Sequence, residues 1–436
     1  MALVALVSTP ACPERDTQNT HRSVAPPPDP RRYPLRTMIG PEHLPSPNPR
    51  RTNGTSRPAR VAVVTGTRAE FGLLRPVMRA IDAHNDLELL VIAAGTHLIQ
   101  PAETFREVRA SFDIADSIPM QIAGRTGRYE DAESVARGLG RFARSFDHLR
   151  PDWIVVLGDR IEPFAAASAA ALLGIAIAHI HGGDRAEGVA DDSLRHAITK
   201  LSHVHLPATP ASAERIIKMG EHEHRVHVIG SPSLDELPSM PPLDAESLEE
   251  LGSPDTVFLM HPMGRHAEQE EAAVAEVLKG LDGRRVLALH PNFDPGRDGI
   301  MRALGHASAQ GEAGRVRVMP HLPREKFVGL LKHLATVKGG GVLVGNSSAG
   351  LIEAAALKVR VVDVGSRQHG RERFANVVQA TESAVSVAAA FEKARALDLS
   401  TVAHAYGDGN AGRRAADVLA ILDPHDPRLL RKINAY

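Results

Sequence analysis

Short runs of apolar and β-branched residues alternate with amphipathic stretches from Arg60 onward. This alternation is typical of βαβ units, in which parallel strands are covered by helices. Helix-like stretches such as LLRPVMRAIDAH and DAESVARGLGRFARSF separate the first strands, so we predict one α/β domain over residues 59–232. Its predicted strands are VAVV from Val61, LLVIA from Leu89, WIVVLG from Trp153, IAIAHI from Ile175 and VHVIG from Val226.

A second alternation of the same kind begins at Val257, and it predicts another Rossmann-like domain over residues 233–409. Its predicted strands are VFLMHP, RVLALHP, VRVMPH, VLVGNSS and VRVVDVG, with helices after Glu268, Arg324, Ala349 and Arg373. The Pro- and Ser-rich stretch from Ser231 predicts a linker or an exposed excursion between the two domains. A last helix is predicted within residues 410–436. The fold class is therefore α/β, with two Rossmann-like domains facing a cleft.

The first 58 residues differ in composition from the rest of the chain. Residues 1–60 hold twelve of the 31 prolines and few periodic apolar positions. Such a segment buries too little apolar surface to offset the entropy of ordering it, so we predict a disordered leader over residues 1–58.

Charge and cysteine content narrow the class of protein. The 436 residues carry 51 Lys and Arg against 52 Asp and Glu, which gives a net charge of −1 and argues against a nucleic-acid scaffold. The single cysteine, Cys12, excludes an intrachain disulfide and a cysteine-based zinc cage, and a reducing cytoplasm fits it best. The longest apolar stretch, residues 163–180, is mostly alanine and predicts a buried helix followed by a strand. It is too weakly apolar to predict a membrane span.

Three of the predicted strands end in loops that suit an anion. In the motif GNSSAG, small residues after Val344 allow a phosphate to approach the backbone, and Ser347 and Ser348 add hydroxyls at a helix start. Glu353 follows one turn later, where it can accept hydrogen bonds from a ribose diol. The alternative is that the polar residues of this loop only cap the helix.

The other two loops add cations. Arg68 lies in TGTRAEFG after the first strand, and Arg367 lies in GSR after the last predicted strand. Guanidinium groups suit phosphate oxygens, although an arginine at a helix start is also commonly a solvated residue. The three loops together favour a nucleotide diphosphate.

Carboxylates and histidines concentrate in the later loops of the first domain. They are Asp159, His179, His181, Asp184, Asp191, Asp192, Arg195 and His196. Carboxylates beside imidazoles at strand ends suit paired acid and base steps, and they also suit metal ligands. Two structural interpretations stay open, since Asp191 or Asp192 can cap a helix and His196 can lie on its surface. Five further histidines have no spacing that connects them to a site, so we predict that they lie at the surface or in loops. They are His203, His205, His222, His224 and His227.

His261 follows a strand of the second domain directly and faces the cleft if that domain is Rossmann-like. A single histidine at such a place is more often structural than catalytic.

The order and joint presence of these motifs resemble the hydrolysing UDP-N-acetylglucosamine 2-epimerases, from about Arg60 to the last helix. The motifs are VVTGTRAEFGLLRPVMRAI, VLGDRIE, HIHGGD, DDSLRHAITKLSH, HPNFDPG, GNSSAGLIEAAAL, VGSRQHGRE and YGDGNA. The resemblance implies two domains of the GT-B type, with the nucleotide held mainly by the second. It also implies a cytoplasmic, sialic-acid-type enzyme that needs no cofactor and no metal, binds neither nucleic acid nor membrane, and forms a homo-oligomer, as a dimer or tetramer.

The resemblance also implies roles for individual residues. For the UDP moiety these are Ser347 and Ser348 at the diphosphate, Glu353 at the ribose, His321 near the uracil, and Arg68, Asn292 and Arg367 elsewhere in the nucleotide site. On the sugar side, the positions associated with catalysis are Asp159, His181, Asp184, Asp191, Asp192, Arg195 and His261. Non-hydrolysing relatives keep a glutamate where this chain has His181, which favours the hydrolysing branch.

The implied reaction removes the proton at C2 while UDP leaves C1, and water then adds to the resulting 2-acetamidoglucal to give N-acetylmannosamine. Three alternatives stay open. They are a hydrolysing 2-epimerase acting on UDP-diacetylbacillosamine, a GT-B glycosyltransferase, and a nucleotide-sugar sensor without turnover.

Overall fold

The computed structural model describes residues 57–100, 104–125, 127–185, 192–292, 294–310, 316–320 and 322–436. Residues 1–56, most of the predicted leader, lie outside this part of the chain. So do Asp191 and His321, two of the predicted site residues.

The first half of the chain forms a six-stranded parallel sheet with the order β3-β2-β1-β4-β5-β6. The strands are β1 (Ala59–Thr65), β2 (Leu87–Ala94), β3 (Ile114–Ile118), β4 (Trp153–Leu157), β5 (Ala176–Ile180) and β6 (Val204–Leu206). The helices between and after them are α1 (Arg68–Asp82), α2 (Phe105–Ser111), α3 (Arg128–Leu149), α4 (Ile161–Leu173), α5 (Asp192–Leu201) and α6 (Pro210–Lys218).

A second six-stranded parallel sheet has the order β12-β11-β10-β7-β8-β9. Its strands are β7 (Thr256–Leu259), β8 (Val286–Leu289), β9 (Val316–Met319), β10 (Val342–Gly345), β11 (Arg360–Val364) and β12 (Val377–Ala380). Its helices are α7 (Ala245–Glu250), α8 (Ala267–Lys279), α9 (Arg297–Gln310), α10 (Arg324–Thr336), α11 (Glu353–Ala356) and α12 (Ala384–Arg395). Both sheets reverse their strand order at a central pair, β1 with β4 and β7 with β10, and ligands bind at such switch points in this type of fold.

The strands are apolar on both sides because helices cover both faces of each sheet. Residues such as Val63, Trp153 and Val344 are completely buried. This double burial explains why the β-branched runs of the sequence predict the central strands.

Helix α13 (Ala411–Ile421) returns the chain to the first sheet, and α14 (Pro427–Leu430) follows it. The buried face of α13 joins the core formed by α1 and the first sheet. Gly412 allows close packing there, because a Cβ at this position would lie 2.6 Å from the carbonyl oxygen of Pro76 on α1. The carboxylate of Asp235 accepts hydrogen bonds from the amides of Ala411 and Gly412, and so caps α13.

The residues after α14 hold the end of helix α5. The ammonium group of Lys432 donates to the carbonyl oxygens of Thr199, Lys200 and Ser202, which lie at the carboxyl end of α5. It also forms an ion pair of 2.8 Å with the buried Glu221. A lysine at this place satisfies carbonyl groups that have no partner within the helix.

Three parts of the predicted organisation are wrong. Val226 forms an isolated bridge with His205 instead of starting a strand. After Arg373 the chain forms the edge strand β12, and the helix α12 begins only at Ala384. The stretch from Ser231 is not an exposed excursion, because Leu234 and its neighbours pack against residues of both halves, including Ala208, Val328 and Tyr406.

In the described part of the chain, no helix has both the length and the apolar character that crossing a membrane requires.

Candidate functional site

The switch point of the second sheet is closed by Asn346, which follows β10. Its side-chain oxygen accepts a hydrogen bond of 2.7 Å from the amide of His261, and its amide nitrogen donates one of 2.9 Å to the carbonyl of His261. The side chain is completely buried. Asn346 therefore joins the ends of β7 and β10 and fixes the start of the serine loop (residues 345–350).

Gly345 is required at the start of the serine loop. Its φ angle is 148°, and a Cβ at this position would overlap the carbonyl oxygen of Leu259 on β7. The loop then forms a short 3-10 turn in which the hydroxyl of Ser347 accepts from the amide of Ala349. Ser347 and Ser348 are both partly exposed, so their hydroxyls remain accessible at the carboxyl end of β10.

The arginine connection (residues 365–373) joins β11 to β12 and packs beside the serine loop. The side chains of Arg367 and Gln368 donate hydrogen bonds of 3.2 Å and 2.9 Å to the carbonyl oxygen of Asn346. This contact brings the predicted cation Arg367 next to the predicted anion loop.

His261 lies at the end of β7, and its ring is held by backbone. Its Nδ1 accepts a hydrogen bond of 3.1 Å from the amide of Asn292. Burial, together with the nearby charge of Arg367, lowers the pKa of His261 to about 3, so the ring is neutral at physiological pH. The side chain of Asn292 turns toward Asp294, whose carboxylate accepts from its amide at 2.5 Å.

Glu353 begins the short helix α11 behind the serine loop and is 6% exposed. Its carboxylate lies 3.6 Å from the guanidinium of Arg324 on α10. Arg324 also donates to the carbonyl of Ser233 in the segment between the two sheets. The structure therefore places this predicted ribose ligand beside a cation from its own domain.

At the switch point of the first sheet, Asp159 and Arg195 form an ion pair. Asp159 follows β4, and Arg195 projects from α5 to donate both to its carboxylate and to the carbonyl of His181. Burial, and then the charge of Arg371, lower the pKa of Arg195 from its usual range to about 9. The guanidinium still carries its charge at neutral pH.

His181 and Asp184 form a buried pair in the HGGD loop (residues 181–184) after β5. The Nδ1 of His181 donates to Oδ2 of Asp184 at 2.8 Å, and its Nε2 lies 3.2 Å from the hydroxyl of Ser231. The other carboxylate oxygen accepts from the hydroxyl of Ser212 at 2.8 Å. The φ angle of His181 is 60°, a left-handed conformation that is uncommon for histidine and is often found at functional sites.

The charge state of Asp184 results from opposing effects. Burial raises its pKa, but the charges of His181 and Arg371 and the hydrogen bonds from His181 and Ser212 outweigh burial and lower it to about 2. Asp184 is therefore a carboxylate across the physiological range.

The remaining predicted residues of α5 pair with each other. Asp192 begins the helix, and its Oδ2 lies 3.4 Å from Nε2 of His196 one turn later. The second oxygen, Oδ1 of Asp192, is buried and has no hydrogen-bond partner among the described residues. A buried oxygen of this kind is available to a ligand or to water.

Arg68 takes no part in these contacts. It begins α1, and its guanidinium forms a half-exposed ion pair of 3.1 Å with Glu107 on α2.

Several side chains connect the two domains across the cleft. Arg371 reaches from the arginine connection to 3.5 Å from Oδ2 of Asp184. Its neighbour Glu372 accepts hydrogen bonds from Thr209 at 3.0 Å and from Arg215 at 3.1 Å. No pattern along the sequence could identify these partners, because their contacts span more than 150 residues.

Two buried glutamates near the first switch point, Glu70 and Glu162, could not be singled out from the sequence. Glu162, at the start of α4, is completely buried, and its Oε2 lies 3.8 Å from the guanidinium of Arg160. A Cβ at Gly66 or Gly95 would overlap its side chain, so these glycines after β1 and β2 make room for it. Burial, followed by the charge of Glu162, raises the pKa of the adjacent Glu70 to about 8.

Of the five histidines predicted at surface or loop positions, only His205 contradicts the prediction, because it lies in a buried strand. His203 and His227 lie in loops, and His222 and His224 are partly or fully exposed. His203, His205 and His227 are buried. His205 lies in β6, with Nε2 at 3.0 Å from Glu221. His179 donates from Nε2 to the carbonyl of Gly158 and is buried, which gives it a structural role. Within the described ranges, histidine, cysteine, aspartate and glutamate form no group of three that could hold a metal ion.

Seen together, the two switch points face each other with complementary chemistry. The first presents carboxylates, a histidine and Arg195, which suit proton transfer. The second presents accessible hydroxyls, a neutral histidine and Arg367, which suit an anion. Two Rossmann-like domains arranged in this way define a protein of the GT-B type.

Comparisons with known proteins agree with this class. A family model described as UDP-N-acetylglucosamine 2-epimerase matches residues 79–420. The UDP-N,N'-diacetylbacillosamine 2-epimerase (hydrolyzing) of Legionella pneumophila is 33% identical over 390 residues, which cover 86% of this chain and 99% of that protein. The UDP-N-acetylglucosamine 2-epimerase of Neisseria meningitidis is also 33% identical, over 78% of this chain and 88% of the relative.

Solved structures show the same fold. The Methanocaldococcus jannaschii UDP-GlcNAc 2-epimerase, crystallised with UDP-GlcNAc and UDP, matches with a TM-score of 0.68 and 17% identity, covering 83% of this chain and 99% of that one. The chain belongs to the UDP-N-acetylglucosamine 2-epimerase family, and it is an enzyme of that family.

Proposed function

We propose that this protein hydrolyses UDP-N-acetylglucosamine with inversion at C2 and releases UDP and N-acetylmannosamine. The observation that carries the proposal is the buried hydrogen bond between His181 and Asp184 at the first switch point. An imidazole and an ionised carboxylate, on side chains that are 7% and 4% exposed, form the kind of pair that acid and base steps need. The position of His181 also supports the hydrolysing branch, since non-hydrolysing relatives keep a glutamate there.

In the proposed reaction, a carboxylate of the first domain takes the proton from C2. The bond between C1 and the UDP oxygen breaks, and a C1–C2 double bond forms. Water then adds its hydroxyl to C1 while C2 receives a proton on the opposite face. The residues proposed to take part in catalysis are Asp159, His181, Asp184, Asp191, Asp192, Arg195 and His261.

The departing diphosphate gains negative charge, and the second domain stabilises it. The hydroxyls of Ser347 and Ser348 and the guanidinium of Arg367 lie at the carboxyl ends of β10 and β11, where an anion is favoured. Glu353 serves the ribose. The other proposed nucleotide contacts are Arg68, Asn292 and His321.

A second candidate substrate is UDP-diacetylbacillosamine. The relative from Legionella pneumophila that bears this substrate in its name aligns over 99% of its own length. The two donors differ at C4 and C6 of the sugar, whereas the steps at C1 and C2 are the same.

The test is turnover of both donors by the purified protein in deuterated water. We expect UDP and a free sugar that carries deuterium at C2, and the faster donor identifies the substrate. A folded protein that binds UDP but releases no free sugar from either donor would contradict the proposal and leave a nucleotide-sugar sensor. Transfer of the sugar to an acceptor without deuterium at C2 would indicate a glycosyltransferase.

A further inference from the structure

We propose that Arg371 is a positioning residue, carried by the second domain, that aligns the His181–Asp184 pair of the first domain and couples it to the serine loop. The inference rests on the function proposed above. Arg371 does not contact the reacting atoms in this proposal. It acts through Asp184.

Arg371 contacts Asp184 directly across the cleft. Nη2 of Arg371 lies 3.5 Å from Oδ2 of Asp184, and the two side chains are 9% and 4% exposed. The same oxygen accepts from Nδ1 of His181 at 2.8 Å, so cation and imidazole share one carboxylate oxygen. At 3.5 Å the interaction is mainly electrostatic, and burial reduces its screening by solvent and salt.

The orientation of the Asp184 carboxylate is fixed by contacts from both domains. Its other oxygen accepts from Ser212 at the start of α6, and this fixes the rotation of the Asp184 side chain. Asp184 is thus held from the first domain on one side and from the second domain on the other. Charged or titratable groups from several elements act on it or lie close to it, and these are His179, His181, Arg215, Arg371 and Tyr406.

Arg371 is also linked to the serine loop. It lies in the arginine connection, whose residues Arg367 and Gln368 donate to the carbonyl of Asn346 at the start of the serine loop. The amide of Arg371 in turn donates to the carbonyl of Gln368 at 3.2 Å. One short turn therefore carries both the contact to the serine loop and the contact to Asp184.

The turn that carries Arg371 is attached to the first domain through the next residue, Glu372. Glu372 accepts from Thr209 and from Arg215, and Arg215 also donates to the carbonyl of Gly183 at 2.7 Å. The turn is thereby anchored to the loop that carries Asp184. The Nε of Arg371 is buried and has no hydrogen-bond partner within the described residues, so the guanidinium keeps a donor for a further group in the cleft.

The experiment compares Arg371→Gln, Arg371→Lys and a control, Arg75→Gln. Arg75 forms ion pairs with Glu236 and with Glu325 of the second domain, away from the HGGD loop. We expect kcat of Arg371→Gln to fall about 10- to 100-fold, the usual cost of removing a group that orients an active residue. The affinity for UDP stays within about twofold, Arg371→Lys recovers most of kcat, and Arg75→Gln keeps the wild-type rate.

A structural role alone would not change the pH dependence, so this is measured as well. Removing the cation raises the pKa of the Asp184 carboxyl, because the charge of Arg371 helps to lower it in the wild type, and the acid limb of kcat/KM is expected to move up by about one pH unit in Arg371→Gln. Carbon-13 NMR of the Asp184 carboxyl carbon should show this rise in that variant, and this readout needs no turnover. The lysine and Arg75 variants should match the wild type.

Two results would overturn the inference. One is an Arg371→Gln variant with wild-type kcat and an unchanged pKa of Asp184. The other is an equal loss in Arg371→Gln and Arg75→Gln, which would indicate general loosening between the domains. Failure of the proposed function is recognised separately, since the wild-type protein would then release no sugar while the pKa of Asp184 still reports on Arg371.

Discussion

The side-chain amide of Asn346 forms two hydrogen bonds with the backbone of His261, one to its amide and one to its carbonyl. This pairing continues the β7–β10 ladder by one step beyond the last strand residues. It makes the serine loop and the end of β7 a single rigid unit, and it gives the proposed diphosphate site a defined shape before any ligand binds.

The serine loop gives the first prediction. Ser348→Ala should weaken UDP binding, because a hydrogen bond to a charged oxygen contributes about 1.5–3 kcal/mol, equivalent to roughly 10- to 100-fold in affinity. Titration calorimetry with UDP measures this change. Ser386→Ala is the matched control, since Ser386 lies in the first turn of α12 in the same domain. A Ser348→Ala protein that binds UDP as tightly as the wild type would contradict the assignment of the loop.

A second prediction concerns the charge of Asp184. Asp184→Asn keeps the size of the side chain and an acceptor for Ser212, but it removes the carboxylate beside His181. We expect kcat to fall by about 10²- to 10⁴-fold, the range for loss of acid-base catalysis, while UDP affinity changes little. The unfolding temperature should fall as well, because the buried guanidinium of Arg371 loses its charged partner. Rates with the proposed donors and calorimetry check this. Asp244→Asn, which changes an exposed cap of α7, should leave the rate unaltered.

The raised pKa of Glu70 predicts a dependence of stability on pH. In the folded protein Glu70 holds its proton up to about pH 8, whereas the unfolded chain releases it near 4.5. The folded state therefore binds one more proton between these values, and the contribution of Glu70 to the free energy of unfolding falls as pH rises. The slope is about −1.4 kcal/mol per pH unit, and the contribution is complete below pH 4.5.

Denaturant unfolding of wild-type protein and Glu70→Gln across this pH range isolates the effect. The free energy of unfolding of the wild type minus that of Glu70→Gln should fall steadily as pH rises, because glutamine does not titrate. Glu214→Gln, on the exposed side of α6, is expected to run parallel to the wild type. A Glu70→Gln curve parallel to the wild type would show that Glu70 is ionised in the folded protein.

Lys432 supports the fourth prediction. Lys432→Met keeps the apolar stem but leaves three carbonyl groups at the end of α5 and Glu221 without this donor. The free energy of unfolding should fall by about 1–3 kcal/mol, the cost of unpaired buried polar groups. Chemical denaturation measures it, with the exposed Lys393→Met as control. Equal stability of the two variants would contradict the capping role.

Parts of the fold could be predicted from the sequence because their signals are local. The runs from Val61, Trp153 and Val342 are apolar and contain β-branched residues, and each forms a buried central strand. Strands β3 and β6 have weaker signals. Their sequences, IADSI and VHL, interrupt the apolar pattern with polar residues. In the structure β3 is a partly exposed edge strand, and His205 of β6 is paired with Glu221.

The candidate site divides in the same way. Motifs at strand ends located His181, Asp184 and the serine loop, because the carboxyl ends of parallel strands meet at one edge of a sheet. Ser212 and Ser231 were missed, since nothing local distinguishes them from other serines until the fold brings them to the HGGD loop. The nucleotide and sugar roles of all these residues, and the homo-oligomeric state, stay predictions.

The return of α13 to the first sheet affects how the protein can be made. During translation the ribosome completes all six strands of the first sheet long before residues 411–421 emerge, and until then the part of α1 that packs against α13 lacks its cover. The second sheet, whose strands all lie between residues 256 and 380, has no such delay. A nascent chain therefore presents exposed apolar surface at α1 throughout synthesis of the second domain, and this surface is a natural place for a chaperone to bind.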